Sequence, residues 1–256
     1  MGKKLAADVQ AKLYKSVIPI AKKARNSFIA EGKVIEDSFE LVEQLGFLLL
    51  KFPAFGASEE ISGFYIKKGN IDCIYINSLM SLGRQNLSVW HEYYHYYTGD
   101  GYGLSYLSNS EENESEYKAN AFASCILMPE ELIYEYLLSE NIKLPYITNI
   151  KLIQMQSYFK VSLSALLTRL CMLFPGCSDG LKKRYWLTGN NDKSKQALYG
   201  LIEEAQGDIS LVQPTNDIYI PNSYFDDIEY NIKNERISLE RAKELLEMID
   251  HLRKNV

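Results

Sequence analysis

Residues 90–95 read Trp-His-Glu-Tyr-Tyr-His and include two of the three histidines of the chain. On a helix, His91 and His95 lie one turn apart on the same face. Both imidazoles can then reach one cation, and zinc accepts neutral imidazole nitrogen. Glu92 projects to one side of this face, where it can take a proton from an activated water instead of binding the metal. The segment therefore predicts a helix with a zinc site and Glu92 as the catalytic base.

The sequence around this helix predicts its packing partners. Upstream, segments rich in aromatic and β-branched residues predict three strands, over residues 47–52, 62–67 and 72–77. Gly69-Asn70 lies between the last two and is typical of a hairpin turn. Downstream, the apolar spacing predicts helices over residues 111–127, 130–139, 150–159, 162–173 and 239–252. We expect an α+β fold in which a small three-stranded sheet packs on the active-site helix and the C-terminal half is mainly helical.

The N-terminal region also has helical spacing. Residues 9–31 predict a helix that Pro19 kinks or splits, and residues 38–44 predict a second helix that ends at Gly46. We expect three parts along the chain. They are a zincin-like metallopeptidase domain (1–135), a helical, helix-turn-helix-like extension (136–190) and a small helical C-terminal region (191–256).

A catalytic zinc normally has three protein ligands and one open position. The remaining histidine, His251, lies in the tail helix, and Cys125 lies in an apolar run, so a carboxylate from residues 111–116 is favoured. Glu116 is the best candidate, because it shares a helical face with small residues that allow close packing, namely Ala119, Asn120 and Ala123. Glu112, one turn earlier, is the alternative. Glu114 is typical of a solvated acidic helix start.

Residues 84–95 and 116–129 resemble the two characteristic motifs of the ImmA/IrrE family of metallopeptidases. In that family a Glu-x-x-Ala-Asn-x-Phe-Ala…Leu-Met-Pro segment supplies the third ligand, and here it begins at Glu116. The resemblance covers roughly residues 15–175. It implies that His91, His95 and Glu116 bind Zn²⁺ and that Glu92 is the base. It also implies that the substrate is a protein, often a helix-turn-helix repressor of a mobile element or a stress response.

Two positions depart from the family pattern. Members often have Gly or Ala where Tyr94 stands, and a further histidine where Gly99 stands. Neither residue is a proposed ligand or base, so the departures concern the shape of the pocket and the choice of substrate.

Amide hydrolysis also needs a donor for the tetrahedral oxyanion. Because two of the three histidines are assigned to the metal, a tyrosine hydroxyl is the natural candidate. Six tyrosines are near in sequence: Tyr93, Tyr94, Tyr96, Tyr97, Tyr102 and Tyr106. The sequence does not choose among them, and for each one packing or loop anchoring is the commoner role.

Two further predictions concern macromolecular contacts. An extended substrate can add to a free edge of the strand pair in residues 62–77, as peptides often do at sheet edges. Residues 150–170 have the helix-turn-helix pattern of some DNA-binding proteins. However, the second helix carries one basic residue, Arg169, where a recognition helix carries more. We therefore expect these helices to pack within the protein.

Composition excludes several classes of function. The net charge of -5 argues against general binding to nucleic acids or anionic membranes. No apolar stretch approaches the length of about 20 residues that spans a bilayer, and no secretory signal is present, so we expect a cytoplasmic protein. The leading prediction is a zinc metalloendopeptidase. The alternatives are a non-catalytic regulator-binding protein on the same fold, which would have no need of Glu92, and a zinc hydrolase of small molecules, which would have a closed pocket.

Overall fold

The fold is described from a computed structural model, which covers residues 5–54, 61–100, 103–106 and 113–254. The helices are α1 (Ala7–Asn26), α2 (Ser38–Gln44), α3 (Leu82–Thr98), α4 (Glu114–Leu127), α5 (Glu130–Ser139), α6 (Asn149–Phe159), α7 (Leu163–Leu173), α8 (Ser178–Lys182), α9 (Asp192–Ala205), α10 (Asn222–Lys233) and α11 (Leu239–Lys254). The strands are β1 (Leu48–Phe52), β2 (Ile61–Lys68), β3 (Ile71–Asn77) and β4 (Gly103–Tyr106). The predicted α+β class, a small mixed sheet in a mainly helical chain, is confirmed.

The sheet has the strand order β1-β3-β2-β4, one strand more than predicted. β1 runs parallel to β3, whereas β2 is antiparallel to both β3 and β4. The additional strand, Gly103–Tyr106, lies outside the three predicted strands. Its four residues are too few to show a period of their own, so only pairing with β2 defines it.

This order corrects the prediction about the sheet edges. β3 lies between β1 and β2, and β2 lies between β3 and β4, so neither strand of the 62–77 hairpin is an edge. The prediction that one of them receives an extended substrate is therefore wrong. At the β1 side, the backbone of Lys51 exchanges two hydrogen bonds with Tyr219, at 2.9 and 2.7 Å.

Helix α1 is one continuous element that contains Pro19, so of the two predicted outcomes, a kink or a split, the split does not occur. Proline removes one backbone donor and leaves the carbonyl one turn earlier without its helical partner. Pro19 lies on the exposed side of α1, where water can bind that carbonyl. The buried residues Val17, Ala21 and Ala24 keep the opposite face in the core.

Several elements pack on α3 and thereby position it, among them two strands and helix α4. Strands β2 and β3 cover one side of α3, and helix α4 crosses another. The α4 residues at this crossing, Ala119, Phe122 and Ala123, are fully buried. Small side chains at a helix crossing let the two backbones approach closely, as the sequence predicts for this face.

The helix pair α6–α7 packs as an internal element. Its one basic candidate, Arg169, is 2% exposed and donates from Nε to the carbonyl oxygen of Met128 at 3.0 Å. A DNA-reading helix needs its basic side chains at the surface. The observed burial of Arg169 supports the predicted packing role.

The C-terminal helices α10 and α11 pack against each other, with Ile228, Ala242 and Ile249 buried between them. No helix in the described part of the chain has both the length and the apolar character that crossing a membrane requires. The division into parts 1–135, 136–190 and 191–256 stays a prediction.

Candidate active site

The two histidines predicted as ligands share one face of α3 and are both buried. Their Nε2 atoms are 3.2 Å apart. The helix ends just beyond them at Gly99, which has φ +67° and donates its N–H to the carbonyl oxygen of His95. A side-chain-bearing residue is strained in this left-handed conformation, which accounts for the glycine at this departure from the family pattern.

Glu116 approaches the histidines from the first turns of α4. Its Oε2 lies 3.3 Å from Nε2 of His91, and its Oε1 lies 3.6 Å from Nε2 of His95. One ligand atom from each of the three residues lies within 4.8 Å of the others, so the structure brings the predicted trio together. Of the other candidates, Glu114 is exposed on α4 and outside this group, and Glu112 lies outside the described residues.

A second layer of polar groups orients both imidazoles. Nδ1 of His91 is 3.0 Å from Oδ1 of Asn120, and Nδ1 of His95 is 2.5 Å from the carbonyl oxygen of Asp100. A carbonyl oxygen only accepts, so Nδ1 of His95 carries the proton, and the same assignment at His91 follows from the Asn120 amide oxygen. In the neutral rings both Nε2 atoms then present lone pairs, which is the tautomer of metal-binding histidine.

Sequence reasoning missed both of these partners. It included Asn120 for its small size alone, although Asn120 follows Glu116 by four residues and so shares its helical face. That spacing was the signal available. Asp100 contributes its backbone carbonyl oxygen. Every residue has this group, so the sequence gives no signal for it.

The donor set fits a cation. Three hydrogen-bond acceptors, the two Nε2 atoms and the Glu116 carboxylate, face one another in a largely buried position, and an arrangement of this kind needs a positive charge between them.

The pKa values of the two histidines indicate where a proton lies in the absence of metal. Burial lowers the pKa of His91, but the hydrogen bond to Glu116 and the negative charges of Glu92 and Glu116 together outweigh it and raise that pKa above its usual value. Burial and the neighbouring His91 lower the pKa of His95.

The comparisons with known proteins agree with this geometry. Residues 38–171, just over half of the chain, match the family model of the peptidase M78, IrrE N-terminal-like domain. The chain belongs to the peptidase M78 family. The predicted relationship to ImmA/IrrE proteins is thereby confirmed, and the family indicates a peptidase. No curated protein matches the chain.

In this M78 chain, the predicted base Glu92 is fully buried between the two histidines on α3. Strand β2 comes close to it at Gly63. A Cβ added at Gly63 would lie 2.6 Å from the carbonyl oxygen of Tyr75 and 3.6 Å from Cγ of Glu92. Glycine is therefore required for β2 to lie against both β3 and the Glu92 side chain. The sequence offers this residue only as an unremarkable strand glycine.

Four of the tyrosines considered for the oxyanion are described, and their contacts are structural. The hydroxyl of Tyr94 donates to Oδ2 of Asp100 at 3.2 Å. The rings of Tyr93, Tyr96 and Tyr97 belong to an aromatic cluster that also contains Phe28, Phe47, Trp90 and Phe122. Tyr102 and the side chain of Tyr106 lie outside the described residues. The oxyanion donor therefore stays unassigned.

Proposed function

We propose that this M78 chain is a zinc-dependent endopeptidase that cleaves a protein regulator, with a helix-turn-helix repressor of a mobile element or a stress response as its substrate. The observation that carries the proposal is the convergence of His91, His95 and Glu116. Their ligand atoms face one point, while Asn120 and Asp100 occupy the outer nitrogens of both imidazoles. Membership of a peptidase family supports the reaction class.

Zinc, when bound by His91, His95 and Glu116, supplies a Lewis acid that activates water and polarises the scissile carbonyl. The chain itself supplies the proton transfer. Glu92 takes a proton from the attacking water and delivers it to the leaving amine nitrogen as the C–N bond breaks. Glu92 is fully buried with its Cγ beside Gly63, which restricts both the rotation of its side chain and the access of competing solvent.

The test combines metal analysis with a cleavage assay. The purified protein is analysed for zinc and incubated with candidate helix-turn-helix repressors, and products are identified by mass spectrometry. We expect about one zinc per chain, from a single three-ligand site, and a defined cut in the repressor. Glu92→Gln should retain zinc but cleave at least about 100-fold more slowly, since general base catalysis typically contributes a factor of this size or more.

The outcomes separate the alternative functions. Equal cleavage by wild type and Glu92→Gln would refute the proposed mechanism. Tight binding of the repressor by both proteins, without cleavage, would instead assign the chain as a non-catalytic regulator-binding protein. Absence of metal from a protein with His91 and His95 intact would refute the site.

A further inference from the structure

The outer partners of the two histidines differ in how they are held. Asn120 belongs to helix α4, whose backbone fixes its position beside His91. Asp100 instead follows Gly99, where α3 ends, so its carbonyl oxygen lies outside the helical hydrogen bonds of α3. Backbone outside regular structure can rotate unless other contacts restrict it. The 2.5 Å bond from Nδ1 of His95 to this oxygen therefore depends on contacts that hold Asp100 in place.

Two side chains hold the carboxylate of Asp100, one from each of the helices that carry the metal ligands. The hydroxyl of Tyr94 on α3 donates to Oδ2 at 3.2 Å, and Nζ of Lys118 on α4 lies 3.7 Å from the same oxygen. Tyr94 is 2% exposed, and its ring packs on Phe122 of α4 with the two ring centroids 5.4 Å apart. The hydroxyl therefore has a fixed position from which it donates to the carboxylate.

The backbone of Asp100 is held as well. Its N–H donates to Oγ1 of Thr98 at 3.2 Å, and its carbonyl oxygen accepts a second hydrogen bond from Oγ of Ser115 at 3.2 Å. A carbonyl oxygen has two lone pairs, and the bonds from His95 and Ser115 use both of them. These contacts restrict the direction of the carbonyl group as well as its position.

The exposure of these groups separates the contribution of Tyr94 from that of Lys118. The side chains of Lys118 and Asp100 are 29% and 44% exposed, and a partly exposed ion pair contributes little by itself. The Tyr94 hydroxyl comes from a buried side chain and bonds to an ionised acceptor, which makes a hydrogen bond stronger than one between neutral groups. Tyr94 is therefore the main support of the Asp100 carboxylate.

We propose that Tyr94 is a positioning residue of the metal centre. Through its hydroxyl it holds Asp100 so that the carbonyl oxygen of Asp100 fixes the imidazole of His95, and Lys118 and Ser115 assist it. Outer partners of this kind orient a metal-binding imidazole and raise its affinity for the metal. This role rests on the proposed function, since it acts on a ligand of the proposed zinc site.

Tyr94→Phe gives the most direct test, because it keeps the ring and the net charge and removes only the hydroxyl. We expect the zinc affinity, measured by competition with a chromogenic chelator, to fall about fivefold, which is the usual size of one lost hydrogen bond. The matched control is Tyr97→Phe. Tyr97 lies on the same helix with its ring 6.2 Å from that of Phe122, and its hydroxyl forms no hydrogen bond among the described residues. Equal zinc affinities in the two variants would overturn the proposed role of Tyr94.

Two substitutions at Asp100 test the link to His95. Asp100→Ala removes the carboxylate but keeps the carbonyl oxygen that accepts from His95, and we expect about tenfold weaker zinc binding. Asp100→Asn loses the same charge but keeps an acceptor for Tyr94, so its zinc affinity should fall less. An equal loss in both variants would mean that the charge of Asp100 matters and its bond to Tyr94 does not.

A double-mutant cycle shows whether Tyr94 acts through Asp100. If it does, Tyr94→Phe should change the zinc affinity of the Asp100→Ala protein by less than about twofold, because the bond is already absent there. A full fivefold loss in that background would refute the proposed path from Tyr94 to the metal centre.

NMR of the metal-free protein provides a readout that packing alone does not change. A short hydrogen bond moves the signal of its proton downfield, so the Nδ1–H signal of His95 should move upfield in Tyr94→Phe and in Asp100→Ala. The signal of His91, which bonds to Asn120, should keep its position. A wild-type protein that binds no zinc would refute the proposed function, and these signals would still test the positioning. An unchanged His95 signal in both variants would overturn the role of Tyr94 whether or not zinc binds.

Discussion

The two ends of helix α4 meet opposite chemistry. At its N-terminal end, Glu116 faces the Nε2 atoms of His91 and His95, so acceptors collect around one point. At its C-terminal end, the carbonyl oxygens of Ile126 and Met128 accept from buried arginines, so donors collect instead. Each arrangement complements the helix dipole, which favours a carboxylate at the start and cations at the end.

The two ends of α4 therefore take different ligands. At the C-terminal end, arginine side chains of the chain itself donate to the last carbonyl oxygens of α4, so no ligand from outside is needed there. At the N-terminal end the acceptors outnumber the donors, and a cation from outside is needed to complete the site. The contrast predicts that substitutions at the N-terminal end of α4 change metal binding, whereas those at the C-terminal end change the free energy of unfolding.

The largest effect is expected at Glu116. Structural zinc sites bind with about 10–16 kcal/mol in total, so loss of one ligand of three should cost roughly 3–5 kcal/mol, or about three orders of magnitude in affinity. We expect this loss in Glu116→Gln, measured by competition with a chromogenic chelator. The matched control is Glu114→Gln, two residues earlier on the same helix and exposed. Equal affinities in the two variants would remove Glu116 from the site.

The next effect concerns the other end of α4. Arg169→Met keeps an apolar stem of similar length but leaves the carbonyl oxygen of Met128 without this donor in a buried position. An unsatisfied buried acceptor and a lost charge-assisted bond should lower the free energy of unfolding by about 3 kcal/mol. Urea denaturation measures this change.

Arg241→Met is the control for that experiment. Arg241 is exposed and pairs with Glu244 on one helix, so its loss should change the free energy of unfolding by less than about 0.5 kcal/mol. Both variants should keep zinc. Loss of zinc from a folded Arg169→Met protein would show that the two ends of α4 are not independent.

A smaller effect is expected from the outer partner of His91. Asn120→Ala removes the acceptor at Nδ1 and frees the ring to rotate or change tautomer. Loss of such a partner typically lowers metal affinity about 10–100-fold, close to 2 kcal/mol. The same chelator competition measures it.

Asn113→Ala provides the comparison, because Asn113 caps the start of α4 and accepts from the backbone N–H of Ser115. Its loss should destabilise the helix by about 1 kcal/mol without a direct effect on zinc. If Asn113→Ala lowers zinc affinity as much as Asn120→Ala, the effect of Asn120 arises from helix position and not from its bond to His91.

Much of the metal centre could be predicted from the sequence because its residues follow helical spacing. His91 and His95 share a face of α3, and Glu116 lies on a small-residue face of α4, so two local patterns indicate one site. The M78 motifs are local for the same reason. The partners Asp100 and Arg25 could not be found in this way, because Asp100 acts through its backbone and Arg25 reaches Ile126 from a distant helix.

In the fold, too, some elements are set by local sequence and others by tertiary contacts. Helix α2 and helix α5 have the bounds that the apolar spacing and the breakers Gly46 and Pro129 indicate. Strand β4 and the interior position of the 62–77 hairpin depend on which strands pair, and pairing is set by tertiary contacts that a local period does not contain. The continuity of α1 at Pro19 likewise depends on whether that side of the helix is exposed, which the packing of the other elements sets.

The smallest expected effect is on the pH dependence of the free energy of unfolding, and it needs no substitution. It follows from the proton that His91 holds when zinc is removed. Burial lowers the pKa of His91, but the hydrogen bond to Glu116 and the charges of Glu92 and Glu116 more than compensate, so in the folded chain this pKa lies above 6.5. A histidine whose pKa is raised by folding stabilises the folded state. This contribution is complete below its unfolded pKa of about 6.5 and is lost as the pH rises through its folded pKa. We expect the free energy of unfolding of the chelated protein to fall as the pH rises above 6.5.

Zinc should reverse this trend, because the metal takes the place of the proton and binds more tightly as His91 deprotonates. Above about pH 7.5 His95 contributes little to either slope, since its lowered pKa keeps it neutral in the folded state and an unfolded imidazole is largely neutral there as well. Urea denaturation between about pH 7.5 and about 8.5, with and without chelator, measures both slopes. Glu116→Gln should make the slope of the chelated protein shallower, because Glu92 remains as the other negative charge that favours protonated His91. An unchanged slope in this variant would mean that the His91–Glu116 pair does not hold the proton at this end of α4.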